Sequence, residues 1–309
     1  MIIDKNDTTK FIKELERKLI ADPNSVELNF NIGIGYSKLG RYERALDHFK
    51  RVIELDSNDS ESHFYLGVIY AKTGNDEDAI KAYSKSIELD QDNFKAHCNL
   101  ASLFGKLGRY QEALTHFEKC SIISPKYAKA YYGIGLVYSD LEEYDKAISA
   151  YKKAIRLNPG YIEAHINLGN TYGKQNKYSD AEKIFLKALK LSPKYPKLHF
   201  NLGVLYGQMD IPQKAIKQYK LAIMYDETFT EAYCNLGIEL FILGENQESI
   251  VVLETAVAQD VKFAKAYYNL GVAYFFSGDY SKAKEISQIL KDLDSQSSEK
   301  LESLIENKT

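Results

Sequence analysis

The sequence predicts an all-α protein built from tandem pairs of helices. Glycines separated by 34 residues, or by twice that number, are Gly33, Gly67, Gly135, Gly169, Gly203, Gly237 and Gly271. Within each period, apolar residues recur at helical spacing in two segments of about 14 residues. The fifteenth residue of most periods is glycine, asparagine or aspartate, which are residue types that end helices. Each period is therefore predicted to form two helices joined by a tight turn.

Eight periods follow one another without an insertion, and Ala101 replaces the glycine in the third. The predicted repeats are 26–59, 60–93, 94–127, 128–161, 162–195, 196–229, 230–263 and 264–297. One helix pair cannot cover its own apolar face, so neighbouring pairs must stack into a continuous array. Hereafter, "position" means the place of a residue within its repeat.

Both ends are predicted to cap this array. Residues 1–25 carry Phe11, Leu15 and Leu19 at helical spacing, which predicts an N-terminal capping helix like the second helix of a degenerate repeat. At the other end, the four residues from Ser295 interrupt the pattern, and residues 298–309 are predicted to form a C-terminal capping helix and tail. Atypical terminal units are expected, since an open repeat face must be shielded.

Small residues at positions 8 and 20 predict a close approach of the two helices in each repeat. The large residue at position 11, such as Tyr36, is expected to pack against position 24 of the second helix, such as Phe49. In the fourth repeat Glu142 occupies the turn position, and a different turn is expected there.

These fixed positions resemble the tetratricopeptide repeat (TPR) signature. The fourth repeat is nearest to it and carries Tyr131, Gly135, Tyr138, Ala147, Tyr151, Ala154 and Pro159. The resemblance covers residues 26–297 and implies a right-handed α-solenoid, or superhelix, of helix-turn-helix repeats. It also implies that one face of each first helix lines a concave groove that holds other proteins.

Composition and charge exclude several classes of function. A net charge of -3 and a pI near 6.1 provide no basic surface for nucleic acid. No run of about 18 apolar residues predicts a membrane span, and the N-terminus does not resemble a secretion signal. Three cysteines without C-x-x-C spacing predict neither a disulfide framework nor a zinc site. A cytoplasmic location is therefore expected.

No catalytic machinery is predicted. All six histidines stand at position 4 or position 23, which favours packing over metal binding or general-base chemistry. No nucleophile with a neighbouring base and no glycine-rich phosphate loop is visible. The chain is therefore predicted to be no enzyme and to need neither a cofactor nor a metal.

The candidate groove carries a row of amides. The asparagines of this row, at position 6 and in one case at position 9, are Asn31, Asn99, Asn167, Asn201, Asn235, Asn269 and Asn170. Each carboxamide offers two hydrogen-bond donors and an acceptor, which suits the backbone of an extended peptide. The open alternative is that these amides bridge neighbouring helices.

Aromatic and basic side chains accompany the amides. The aromatic residues at position 5 are Phe30, Phe64, Tyr132, Phe200 and Tyr268. The lysines at position 13 are Lys38, Lys72, Lys106 and Lys174, and the late groove carries Phe241, Phe275 and Phe276. A ligand with acidic residues at the early lysines and apolar residues at the phenylalanines is predicted. Alternatively, the lysines form a solvated rim and the phenylalanines pack against the C-terminal helix.

The predicted function is that of an adaptor or scaffold, which binds a peptide segment or an amphipathic helix of a partner protein. A carboxylate clamp of the chaperone-binding TPR type is disfavoured, because position 5 holds no lysine and Ile166 precedes Asn170 where that lysine belongs. Two alternatives stay open: a self-assembling scaffold that uses the apolar C-terminal groove, and a regulatory subunit of an enzyme complex. Whether the last helix caps the array or occupies the groove is also open.

Overall fold

The computed structural model describes residues 5–307, and the predictions for residues 1–4 and 308–309 lie outside that range. The described residues form eighteen α-helices and no strand, which confirms the all-α repeat fold. The helices are α1 (Lys5–Ala21), α2 (Val26–Lys38), α3 (Tyr42–Leu55), α4 (Ser60–Thr73), α5 (Asp76–Leu89), α6 (Phe94–Lys106), α7 (Tyr110–Ile123), α8 (Ala128–Asp140), α9 (Tyr144–Leu157), α10 (Ile162–Lys174), α11 (Tyr178–Leu191), α12 (Pro196–Gln208), α13 (Pro212–Tyr225), α14 (Thr230–Ile242), α15 (Asn246–Gln259), α16 (Ala264–Ser277), α17 (Tyr280–Leu293) and α18 (Ser295–Glu306).

The helices form two compact units, residues 1–159 and 160–309. Inside each unit every helix packs against the next one along the chain. The first helices of neighbouring repeats also contact each other, as α2, α4, α6 and α8 do in one unit and α10, α12, α14 and α16 do in the other. Among the described residues of each unit, the second helices make no such contact. The first helices therefore form the inner layer of each unit.

A residue in the left-handed conformation ends the first helix of every repeat. Five of these residues are glycines, with φ between 73° at Gly40 and 88° at Gly278, and three are not. The prediction of a different turn at Glu142 is wrong, because its φ is 59°. Backbone bonds from Glu142 N to Ser139 O (3.2 Å) and from Glu143 N to Tyr138 O (2.8 Å) close the same turn. This hairpin geometry outweighs the roughly 1–2 kcal/mol that a side chain costs there.

The core of a repeat forms where the position 24 side chain packs against the position 8 glycine. A Cβ placed on Gly135 would lie 2.5 Å from Tyr151 Cε1, so only glycine leaves room for that ring. Tyr151 also packs against Tyr132 at position 5, with ring centroids 6.0 Å apart. The small residue at position 8 thus lets the helices approach closely, as the sequence predicts.

Positions 11 and 24 belong to the same core, as Tyr36 and Phe49 do, but the position 11 ring stacks on another side chain. Tyr36 stacks on His48 at position 23, with centroids 5.8 Å apart, and Arg44 at position 19 lies over the same ring at 5.4 Å. Lys146, Lys214 and Lys282 occupy position 19 and lie over the position 11 rings of their own repeats in the same way. Positions 19 and 23 are one turn apart and share a helix face, so together they cover the position 11 ring.

A helix packs at each end of the described chain. In α1 the buried apolar residues are Ile12 and Leu15, whereas Phe11 is 52% exposed. At the other end, Asp294 accepts a hydrogen bond from Ser297 N and caps α18, so this helix begins at Ser295 rather than at residue 298. The α18 helix packs against α16 and α17, and Leu301 is fully buried.

No helix within residues 5–307 is long and apolar enough to cross a membrane.

Candidate binding groove on the first helices

Three pockets open between neighbouring first helices. Pocket A lies between α6 and α8 and measures about 340 Å³. Pocket B lies between α10 and α12 and measures about 280 Å³, and pocket C lies between α12 and α14 and measures about 300 Å³. All three recur at the same place in the repeat, so they mark a groove along the inner layer of each unit.

The three pockets are built alike. Each pocket is lined by the position 24 ring and the position 12 glycine of one repeat. Position 9 in the first helix of the next repeat completes the lining. The glycines are Gly105, Gly173 and Gly207 in pockets A, B and C respectively. A small residue at position 12 therefore opens each pocket beside an aromatic ring.

Of the predicted asparagines, Asn170 and Asn201 line pocket B and Asn235 lines pocket C. All seven are partly exposed. Lys129 Nζ donates to Asn99 Oδ1 (3.2 Å), and Lys265 Nζ donates to Asn235 Oδ1 (3.0 Å).

The position 24 hydroxyls of the preceding repeats, Tyr83 and Tyr219, lie near these two amides. Burial raises the pKa of both hydroxyls above its usual value. Asn201 Nδ2 donates instead to Lys197 O of its own helix, at 2.6 Å. The amides at 99 and 235 thus bridge neighbouring repeats, and each amide retains further hydrogen-bonding capacity on its exposed side.

The aromatic residues at position 5 are half-buried and belong both to the core and to the groove. Tyr132 lines pocket A, and Phe200 lines pocket B. Phe200 also packs against Phe229, with ring centroids 4.8 Å apart. Such rings are held in place by the core and present one edge to the pocket. Phe30, Phe64 and Tyr268 are half-buried at the same position.

The position 13 lysines are all exposed. Lys106 Nζ lies 2.9 Å from Asp76 Oδ2, and Lys72 lies over the Tyr42 ring at 5.8 Å. Pairs as exposed as these contribute roughly 0–1 kcal/mol, so the lysines of the first unit can exchange their partners for a ligand carboxylate.

The structure separates the three predicted phenylalanines. Phe275 is only 3% exposed and belongs to the core that contains Leu301, so its prediction as a groove residue is wrong. The cause lies in the last repeat, where Phe275 packs edge-on against Tyr280 at 5.5 Å. Phe276 is 53% exposed and contacts the half-buried Phe241 at 5.4 Å. The C-terminal helix α18 therefore caps the last repeat.

One pair of histidines and one pair of cysteines lie side by side inside the fold. His97 Nδ1 lies 2.9 Å from His116 Nδ1, and burial lowers the pKa of both rings. The Cys98 and Cys120 thiols share a hydrogen bond, which with burial raises the pKa of Cys120. Within residues 5–307, no group of three or more metal-ligating side chains is placed to hold a metal ion.

Glu239 is one of the groove residues that sequence reasoning missed. Its side chain is 9% exposed and lines pocket C. The signal was present, because position 10 holds no other ionisable residue in any repeat. The other members of that position are Gly35, Ile69, Leu103, Val137, Thr171, Leu205 and Ala273.

Comparison with known families agrees with this architecture. Models described as "Tetratricopeptide repeat" match residues 94–127, 128–161, 162–195, 184–217 and 264–294. A model described as "TPR repeat" matches residues 35–74, 69–108 and 239–278. No curated protein matches the chain.

Solved structures share the fold. A tetratricopeptide repeat protein from Parabacteroides merdae ATCC 43184 is 19% identical, with 80% of this chain and 98% of that chain covered and a TM-score of 0.64. MamA 41-end from Desulfovibrio magneticus RS-1 is 28% identical over 54% of this chain and 95% of its own, with a TM-score of 0.51. A further MamA protein structure is 32% identical over 55% of this chain and 92% of its own, with a TM-score of 0.50.

The first of these similarities concerns the fold alone. The family matches together reach from residue 35 to 217 and from 239 to 294, and they fall on the helix pairs that build the groove. By its sequence and by its repeated helical hairpins, the chain belongs to the tetratricopeptide repeat superfamily.

Proposed function

We propose that the chain is an adaptor whose eight repeats, residues 26–297, bind a segment of a partner protein in the groove that the first helices form within each unit. The observation that carries this proposal is the pair of glycines in the last turns of helices α6 and α10, Gly105 and Gly173. Glycine at a helical residue costs up to about 1 kcal/mol relative to alanine, so its use needs a reason.

Internal packing does not supply that reason. A Cβ on Gly105 would meet only Val137 Cγ2 at 3.8 Å, and a Cβ on Gly173 would meet only Gln208 Oε1 at 3.6 Å. Both are ordinary van der Waals distances, so alanine fits at either place. What the glycines do provide is open space in pockets A and B, which suits the close approach of a ligand.

The neighbouring side chains indicate the kind of ligand. Half-buried rings at position 5 offer apolar contact, and the amides beside them offer donors and acceptors. A segment with alternating polar and apolar side chains satisfies both rows, whether it binds as a strand or as an amphipathic helix. In the first unit, Lys38, Lys72 and Lys106 favour acidic residues in that segment.

In this proposal the chain acts by binding and not by catalysis, and it works in the cytoplasm without a cofactor. Its partners are proteins rather than nucleic acid or the membrane interior. The formal net charge of -3 is consistent with a protein partner.

Selection of twelve-residue peptides from a phage-displayed library on the immobilised protein tests the proposal. We expect peptides that bind the wild type and lose at least about tenfold in affinity, roughly 1.4 kcal/mol, when Gly105→Gln and Gly173→Gln fill pockets A and B. Ser149→Gln and Ser179→Gln add the same side chain at exposed places on α9 and α11 and serve as controls.

Fluorescence anisotropy with a labelled selected peptide gives the affinities, and circular dichroism checks that all four variants keep their helices. The proposal is contradicted if no peptide is selected, or if the filled pockets bind as well as the wild type.

A second candidate function is self-assembly through the end of the inner layer. Ile242 and Phe276 occupy position 13 in the last two repeats and are 58% and 53% exposed. A second copy of the chain is the occupant that would cover them. Light scattering should show a concentration-dependent rise in mass that Ile242→Asp with Phe276→Asp abolishes, and a constant monomer mass would exclude this function.

A further inference from the structure

Pocket C contains a carboxylate that the fold leaves without a partner. Glu239 lies in the middle of α14 and exposes only 9% of its surface. Among the described residues, no side-chain hydrogen bond or ion pair involves its carboxylate. An acidic side chain this buried is almost always paired, because removal of its hydration is costly.

The carboxylate lies beside Gly207 in the lining of pocket C. A Cβ built on Gly207 would lie 2.6 Å from Glu239 Oε1, so the carboxylate occupies the space beside that glycine. The Tyr219 hydroxyl is 4.0 Å from the same Cβ position. An acidic oxygen and a phenolic oxygen thus lie on the same side of Gly207, in the lining of pocket C.

The basic residue of the pocket does not neutralise Glu239. Lys265 lines pocket C, but its ammonium donates to Asn235 Oδ1 at 3.0 Å and makes no ion pair with Glu239 within 4.0 Å. Asp210, in the turn after α12, adds a second negative charge nearby. Burial and Asp210 together raise the pKa of Glu239 above its usual value. The positive charge of a cation in the pocket would offset both effects, because it favours the ionised carboxylate.

We propose that Glu239 is the recognition site for a lysine or arginine side chain of the bound partner segment, which enters pocket C over Gly207. This inference rests on the proposed function, since it specifies the chemistry of a ligand in that groove. The ammonium or guanidinium group donates to the Glu239 carboxylate and to the Tyr219 hydroxyl. Its apolar stem packs against Val204 and Ile238, which line the same pocket.

Charge complementarity selects a cation over a neutral donor. A neutral amide or hydroxyl would satisfy one lone pair but would leave the charges of Glu239 and Asp210 uncompensated. An apolar side chain would bury the carboxylate further and leave it unpaired. The second unit is therefore expected to bind segments with a lysine or arginine at one fixed place in preference to segments without one.

Two parallel selections of twelve-residue peptides, on the wild type and on Glu239→Gln, test the inference. Glutamine keeps the size of the side chain and removes the charge. We expect the wild type to enrich peptides with lysine or arginine at one aligned place, and the variant to select peptides without that preference. Glu285→Gln removes an exposed charge from α17 and should select like the wild type.

The outcomes separate the two proposals. If neither protein selects peptides, the groove does not bind segments and the proposed function fails together with this inference. If peptides are selected without a basic preference, or if Glu239→Gln retains the preference, the inference fails and the proposed function stands.

A second measurement uses one selected peptide and its copy with norleucine in place of the basic residue. We expect the wild type to bind the basic peptide at least about tenfold more tightly than the norleucine copy, the loss typical of a charged hydrogen bond. On Glu239→Gln the two peptides should bind within about twofold of each other. An equal discrimination by both proteins would overturn the inference.

Discussion

Two glycines of the first helices give opposite predictions for one substitution. Gly105 and Gly135 lie inside neighbouring first helices, α6 and α8, and alanine improves helix propensity at both. At Gly105 the new Cβ meets a single atom, Val137 Cγ2, at 3.8 Å. At Gly135 it meets Tyr151 Cε1 at 2.5 Å and Cδ1 at 2.6 Å, and Tyr151 is only 1% exposed.

The magnitudes follow from these distances. Gly105→Ala should raise the free energy of unfolding by roughly 0.5–1 kcal/mol, because it gains propensity and meets no clash. Gly135→Ala gains the same propensity but displaces a buried ring. Since overpacking costs about 1–3 kcal/mol, this variant should be destabilised by roughly 0.5–2 kcal/mol.

Urea denaturation followed by far-ultraviolet circular dichroism measures both changes against the wild type. Peptide binding by the Gly105→Ala variant should fall or stay level while its stability rises. A loss of more than about 1 kcal/mol in Gly105→Ala would refute the argument, because the fold itself would then require that glycine.

Three further predictions concern single groups. Glu142→Gly should stabilise the chain by about 1 kcal/mol, since it removes a side chain from a left-handed residue, and urea denaturation measures the gain. His97 and His116 have pKa values below the usual histidine value, because burial disfavours their charged forms. The stability that their neutral forms contribute is therefore present above the usual histidine pKa and is lost as the pH falls from there through their lowered pKa values. The urea midpoint should therefore drop between pH 7.5 and about pH 5.5, and less so in a variant with glutamine at both places. The pKa of Glu239 is raised in the folded protein, so the folded state loses stability as the pH rises from the usual glutamate pKa through the raised pKa. At pH 7.5, Glu239→Gln should therefore unfold at a higher urea concentration than the wild type. At about pH 4 this difference should disappear.

Much of the fold could be predicted from the sequence, because the repeat period fixes which residues face each other. The helix pairs, the close approach at position 8 and the left-handed residues at the glycine turns all follow from residue size and φ preference. The turn at Glu142 could not be predicted from its own residue type. There the backbone hydrogen bonds of the turn stabilise the left-handed conformation of Glu142 despite its side chain.

The side-chain directions were harder to predict than the helices. Spacing alone cannot tell whether the position 11 ring meets position 24 or the pair at positions 19 and 23, since both lie on the facing helix. Phe275 was assigned to the groove from its register, but in the last repeat Tyr280 and the terminal core cover that place. Helical spacing does not mark Glu239 as a groove residue, because only its charge distinguishes it from the other residues at position 10.

Within each unit, every helix contacts only its nearest and next-nearest neighbours along the chain. Such a connection pattern has low contact order, so folding can start at any hairpin and spread without closing a long loop. The same pattern has a mechanical consequence. A pulling force applied at one end detaches hairpins one by one, each rupture leaving the rest intact, and a single-molecule stretching trace should show a sawtooth of small, evenly spaced steps.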